Sequence, residues 1–175
     1  MSACMMHEKT FRIITILEIE EQQIRKNRRL DLKKNSEIGR STFMKSQMIK
    51  VLIVDDQETV LKGLKMRLAL EDDMKVIGEA KDGFGALQMA TSGQPDVVVM
   101  DVEMPNMDGI SATRALHEIN PHVKVIMLSI HDNPQLRAQA RAAGAYSYVE
   151  KRDGAINLIA EIRNAFENKR SLING

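Results

Sequence analysis

The chain has 175 residues and a formal net charge of +1, with 43% hydrophobic and 28% charged side chains. That length suits one domain with an appendage, and the mixture is ordinary for a globular chain. Aromatics make up 3% and Trp is absent, so the core is aliphatic, and no apolar run approaches the roughly 20 residues that span a bilayer.

The near-neutral balance hides two unequal parts. Residues 1–47 carry ten basic side chains (Lys9, Arg12, Arg25, Lys26, Arg28, Arg29, Lys33, Lys34, Arg40, Lys45) and six acidic ones (Glu8, Glu18, Glu20, Glu21, Asp31, Glu37). Their net is +4, which leaves −3 for residues 48–175. A basic head can meet nucleic acid or an anionic surface, but this one lacks interleaved aromatics for base stacking. It reads as a solvated, weakly structured extension. Within it, Phe11 to Ile19 is compatible with either helix or strand. Its acidic residues argue against a transit peptide. Met48 immediately precedes the first regular strand, so translation is expected to begin there or at Met44, with the head a gene-model artefact or a variable extension. A native peptide from residues 11–40 in mass spectrometry would contradict this. The lone Cys4 cannot form an internal disulfide, which fits a reducing compartment, and the cytoplasm is the expected location.

Regularity begins at residue 50. Lys50 to Val54 is a short β-branched run ending in Asp55-Asp56. Val60, Leu61, Leu64 and Leu68 then recur at helical spacing. Met74 to Gly78 reads as a second strand, and Asp82 caps a second helix with Ala86, Leu87 and Ala90 inward. Asp96 to Met100 is a third strand. Ala112, Ala115, Leu116 and Ile119 mark the inner face of a third helix, stopped before Pro121. Val123 to Leu128 is a fourth strand. A helix from about Asn133 to Ala143 ends at Gly144. Ala145 to Val149 is a fifth strand, and a last helix runs from about Gly154 to Asn168. Strands alternating with helices, and apolar on both faces, predict a doubly wound five-stranded parallel α/β sheet, flavodoxin-like, in the order 2-1-3-4-5. The expected division is an extension over 1–47, the folded domain over 48–170 and a tail over 171–175.

The chemistry lies at the strand ends, where such sheets bind ligands. Asp55 and Asp56 follow strand one, Asp101 follows strand three, Ser129 follows strand four and Lys151 closes strand five. Adjacent carboxylates repel one another and call for a cation, and hard oxygen ligands with retained waters suit Mg²⁺. An aspartate can accept a phosphoryl group as a nucleophile. A lysine and a hydroxyl can hold its oxygens. Singly, each residue has a plainer role: Asp55-Asp56 as a helix cap, Ser129 as a strand-end hydroxyl, Lys151 as a surface lysine. Their joint placement at strand ends points to a site.

The segments Val51-Leu52-Ile53-Val54-Asp55-Asp56, Asp96 to Gly109, Leu128-Ser129 and Gly144 to Lys151 resemble bacterial response-regulator receiver domains, which are CheY-like. The resemblance covers about residues 49–169. Val76-Ile77-Gly78-Glu79-Ala80 with Asp82-Gly83 looks like the NarL/FixJ branch, whose members usually carry a C-terminal helix-turn-helix. The resemblance implies that a sensor histidine kinase or phosphotransfer protein phosphorylates Asp101. Asp56 and Asp101 would ligate Mg²⁺, Asp55 would support it through water, and the Glu103 backbone carbonyl would complete the protein ligands. Ser129 and Lys151 would hold the phosphoryl group. Tyr148 would turn inward as Ser129 moves, although a half-buried strand tyrosine is its plainer reading. Pro105 and Gly109 would shape the loop after Asp101, which turn chemistry explains equally well.

Two departures qualify the resemblance. Arg152 follows Lys151 where the family often has proline. Ile130 follows Ser129 where a small residue is common, which predicts slow reaction with small phosphodonors and a long-lived phosphoform. The readout face would be helix four, strand five and helix five, read by a homodimer or another protein. Only six residues follow Lys169, too few for a helix-turn-helix, so output is expected through protein contacts or through a DNA-binding domain absent from this sequence. The receiver itself is expected to contact neither nucleic acid nor membrane, and to accept phosphate once rather than turn over a substrate. The rival is a metal-dependent phosphatase with an aspartyl nucleophile. Such enzymes usually show Asp-x-Asp, and Asp101-Val102-Glu103 lacks the second aspartate. A flavodoxin-like cofactor binder would want a hydroxyl- and glycine-rich loop in place of Asp55-Asp56-Gln57-Glu58. His7, His117, His122 and His131 show no metal-ligand spacing.

Overall fold

A computed structural model describes residues 48–130, 133–151 and 154–174. The expectations for residues 1–47, including the extension and Cys4, lie outside the described residues, as does Arg152. The strands are β1 (Ile49–Val54), β2 (Met74–Ala80), β3 (Val97–Asp101), β4 (Lys124–Ser129) and β5 (Ser147–Glu150). The helices are α1 (Glu58–Leu68), α2 (Gly83–Gly93), α3 (Gly109–Ile119), α4 (Pro134–Ala142) and α5 (Gly154–Asn174). All strand pairs are parallel, in the order β2-β1-β3-β4-β5. This is the expected fold.

Alternation along each strand feeds two cores. Val51 and Ile53, Val97 and Val99, and Ile126 and Leu128 face α1 and α5, where they meet Leu61, Leu64, Leu158, Ile162 and Phe166. Leu52 and Val54, Val98 and Met100, and Val125 and Met127 face the opposite side, against Ala86, Ala112, Leu116 and Ala140. The central strands are therefore buried on both faces, as their unbroken apolar runs require.

The helix ends follow local chemistry. Asp82 accepts from Gly85 N at 2.8 Å, Asp108 from Ser111 N at 2.8 Å, and Asn133 from Gln135 N at 2.9 Å ahead of Pro134. Gly144 ends the α4 region with φ of 99°, a backbone that suits glycine. Two expectations need correction. Ile119, the last residue of α3, lies outside the core at 58% exposure, and the buried stripe of that helix ends at Leu116. The last helix does not stop at Asn168 but continues to Asn174, since residues 168–174 contain neither glycine nor proline to end it.

Candidate functional site

Parallel register brings distant carboxylates together. Val54 pairs with Met100, so one further residue sets Asp55 beside Asp101. Asp101 pairs with Leu128, so Ser129 follows on the next strand, and Ser129 pairs with Glu150, immediately before Lys151. The Ser129 carbonyl accepts from Lys151 N at 2.7 Å, which ties the ends of β4 and β5 together. Ser129 is 2% exposed.

Carboxylate oxygens of Asp55, Asp56 and Asp101 lie within 4.8 Å of one another, the one such cluster among the described residues. Asp55 is fully buried, Asp101 nearly so, and Asp56 is exposed. Asp55 does not cap α1. Its Oδ1 accepts from Gln57 N at 3.0 Å, and Gln57 occupies the cap position without a side-chain bond.

Lys151 enters from β5 and bridges the two buried carboxylates. Its Nζ lies 2.7 Å from Asp55 Oδ2 and 2.9 Å from Asp101 Oδ1. Sequence reasoning reserved this lysine for the phosphoryl group and missed the bridge, because its partners lie 96 and 50 positions away. Burial pushes the Asp101 carboxyl up to about 6, against the pull of Lys151 and with added repulsion from Asp55 and Asp56. Burial likewise raises Asp55, although Lys151 and Gln57 N oppose it. Burial alone would lower the Lys151 ammonium, but Asp101 and Asp55 outweigh it and raise it. Fully ionised, three carboxylates and one ammonium leave the site at −2. A site of this charge, with hard oxygen donors and one exposed member, fits a divalent cation that keeps some water.

The loop after Asp101 is held by backbone bonds. Val102 N donates to Leu128 O at 3.0 Å, and Gly109 N donates to Val102 O at 3.0 Å. A Cβ on Gly109 would overlap the carbonyl oxygen of Asp101. The glycine is needed here for close approach, a reason invisible to turn chemistry. Gly109→Ala is expected to destabilise the fold by about 3 kcal/mol, because the obstacle is backbone and cannot rotate away. A chemical-denaturation midpoint unchanged from wild type would contradict it. Thr113, missed in the sequence, is fully buried and donates to Gly109 O at 2.7 Å, so it fixes the same corner. Glu103 lies in this loop with an exposed side chain.

Tyr148 lies outside the carboxylate cluster. It is half-buried on β5, and the Arg137 guanidinium of α4 sits 4.6 Å from its ring centroid. Arg137 also donates to Tyr148 O at 3.3 Å and to Glu150 Oε1 at 3.2 Å. No sequence pattern pointed to Arg137, since its role arises only where α4 packs on β5.

Residues 51–163 match the response regulator receiver domain family. Response regulator GacA of Pseudomonas aeruginosa is 37% identical over 123 residues, covering 70% of this chain and 58% of its own. The chain thus spans a little over half the length of that curated relative. The crystal structure of the CheB response regulator domain of Thermotoga maritima is 34% identical with a TM-score of 0.66, covering 69% of this chain and 98% of that one. A chain of the CheX-CheY-BeF3-Mg+2 complex from Borrelia burgdorferi is 26% identical with a TM-score of 0.66, covering 71% of this chain and 94% of that one. No helix among the described residues is long and apolar enough to cross a membrane. With the sheet order, the strand-end cluster and these likenesses in agreement, the chain belongs to the response regulator receiver domain family.

Proposed function

We propose that this receiver is a cytoplasmic switch of a two-component system, in which Asp101 accepts a phosphoryl group from a sensor histidine kinase or phosphotransfer protein. The observation that carries this reading is the Lys151 bridge. It holds Asp101 beside Asp55 in a buried site whose net charge of −2 matches one divalent cation. An Asp101 oxygen forms the new P–O bond as the donor's P–N bond breaks, and the electron pair leaves with the donor imidazole. Lys151 would exchange a carboxylate for a phosphoryl oxygen, and the Ser129 hydroxyl would bond another. Asp55, Asp56, Asp101 and the Glu103 carbonyl would hold Mg²⁺. When bound, Mg²⁺ would offset the negative charge that gathers on the acceptor and the phosphoryl group. The Borrelia complex, named for both BeF3 and Mg+2, supports that assignment by likeness.

Phosphorylation adds charge at one end of the sheet, and a shift of Ser129 and Lys151 frees room for Tyr148 to turn inward. Tyr148 must first leave its contact with Arg137, so the signal would reach α4 and β5, which with α5 make the readout face. A homodimer or another protein would read that face, or it would act on a DNA-binding domain outside this sequence.

The test is incubation with acetyl phosphate and MgCl₂ followed by intact-mass spectrometry. One phosphoryl group per chain, absent after chelation, is the expected result. Steady hydrolysis of a phosphomonoester would favour the aspartyl phosphatase instead. Ile130, half-buried beside Ser129, predicts slow chemistry with small donors. Ile130→Ala is expected to speed both labelling by acetyl phosphate and loss of the label several-fold. Rapid loss of label unchanged by this substitution would contradict it. The family resemblance implies that Glu103 lies at a position that tunes phosphoryl lifetime, so the comparison is made with Glu103 intact.

A further inference from the structure

The segment that leaves Asp101 is fastened at both ends. Its near end is pinned by Val102 N on Leu128 O and by Gly109 N on Val102 O, both at 3.0 Å. Its far end is hung on the start of α2, an element that contributes nothing to the carboxylate cluster. Asn106 Nδ2 donates to Asp82 Oδ2 at 2.9 Å, and Gly83 N donates to Met107 O at 3.1 Å. Asp82 uses its other oxygen to cap α2 through Gly85 N at 2.8 Å. The same carboxylate therefore starts a helix and holds a loop.

Asn106 adopts φ of 63°, a left-handed backbone that asparagine tolerates better than most side chains. That conformation accompanies the bond from its amide to Asp82. Met107 packs where a side chain at position 83 would go, with its Cγ 2.7 Å from an ideal Cβ there. Glycine at 83 thus lets the loop lie against α2. Glu103, Met104 and Pro105 lie between the two fastenings, and a span pinned at both ends has little freedom left.

We infer that the Asp82–Asn106 clasp positions the loop backbone at Glu103 for the divalent cation, so that both are positioning residues for metal binding although neither touches the metal. The inference rests on the function proposed above. Outer partners that orient metal ligands typically change affinity by about 10–100-fold when removed. Asp82 and Asn106 act through backbone at one ligand only, so the effect belongs at the low end.

The experiment titrates MgCl₂ into the full chain and its variants, and follows the thermal midpoint alongside the initial rate of labelling by acetyl phosphate. Asn106→Gly keeps the left-handed backbone accessible and removes the amide donor, while also freeing the backbone, so the exchanged pair described next is its control. It is expected to raise the Mg²⁺ concentration for half-effect about tenfold in both readouts, with the rate at saturating Mg²⁺ within about twofold of wild type. The exchange Asp82→Asn with Asn106→Asp conserves charge, reverses donor and acceptor, and leaves position 82 able to cap α2. It is expected to restore the wild-type half-effect concentration. An Asn106→Gly chain with unchanged Mg²⁺ dependence overturns the inference, as does an exchanged pair that fails to restore it. A loss of thermal midpoint in chelator with no shift in Mg²⁺ dependence marks a purely structural clasp and also overturns it. A wild-type chain that neither labels nor responds to Mg²⁺ overturns the functional reading, and the inference with it.

Discussion

Asp101→Asn is expected to abolish labelling by acetyl phosphate while raising the stability of the metal-free chain. The first effect follows from losing the anionic nucleophile, since an amide oxygen does not form the acyl phosphate. Phosphodonor-dependent assembly should vanish with it, and assembly that persisted would remove Asp101 from the mechanism. The second effect follows from burial. The fold holds the Asp101 proton more tightly than the unfolded chain does, with the carboxyl pushed from 3.8 up to about 6. The stability linked to that proton is complete below the ordinary value and is lost as pH rises through about 6. A shift of about two units corresponds to roughly 3 kcal/mol of strain at pH 7.5 in chelator, at about 1.4 kcal/mol per unit. Asparagine carries no charge to desolvate, so its thermal midpoint in chelator should rise by several degrees at pH 7.5 and converge on wild type near pH 4. The same titration predicts that wild-type labelling at limiting Mg²⁺ falls as pH drops below about 6, because the acceptor becomes protonated. An Asp101→Asn chain less stable than wild type at pH 7.5 would show that the bridge to Lys151 outweighs the repulsion.

Lys151→Met has the opposite sign for stability. The substitution keeps most of the side-chain volume but strands Asp55 and Asp101, both buried, without the ammonium that lies within 2.9 Å of each. Removing one partner from a buried ion pair typically costs about 3–5 kcal/mol, and that loss is expected in chelator at pH 7.5. Acidification towards pH 5 should recover part of it, because the stranded carboxylates then neutralise, and saturating Mg²⁺ should recover part by supplying positive charge. Labelling should fall roughly a hundredfold even where the chain is folded, the usual scale for losing one group that stabilises charge at the reacting centre. Urea midpoints across pH and Mg²⁺ test the first statement. A midpoint that does not move would mean that Lys151 is held by something other than these two carboxylates.

Much of this is legible in the amino-acid sequence. Unbroken apolar runs such as Val97 to Met100 fit burial on both faces, and their alternation with helical segments points to a parallel sheet covered by helices. Once the order β2-β1-β3-β4-β5 holds, the residues that end β1, β3, β4 and β5 must share one edge. Placing Asp55, Asp56, Asp101, Ser129 and Lys151 together therefore needed only strand ends and strand order. Helix caps were readable for the same local reason, as Asp82 and Gly144 show.

The sequence by itself determined the fold, the strand-end constellation and the kind of chemistry those groups can do, because each rests on local periodicity or on side-chain type. Tertiary structure decided what those groups do to one another. Lys151 bridges two buried carboxylates and offsets one of their charges. Gly109 is required by the Asp101 carbonyl rather than by its own turn. Arg137 holds Tyr148, and Asp82 holds Asn106 across the gap between two loops. Each is a contact between residues whose separation along the chain carries no pattern, and its strength depends on burial and distance that only packing sets.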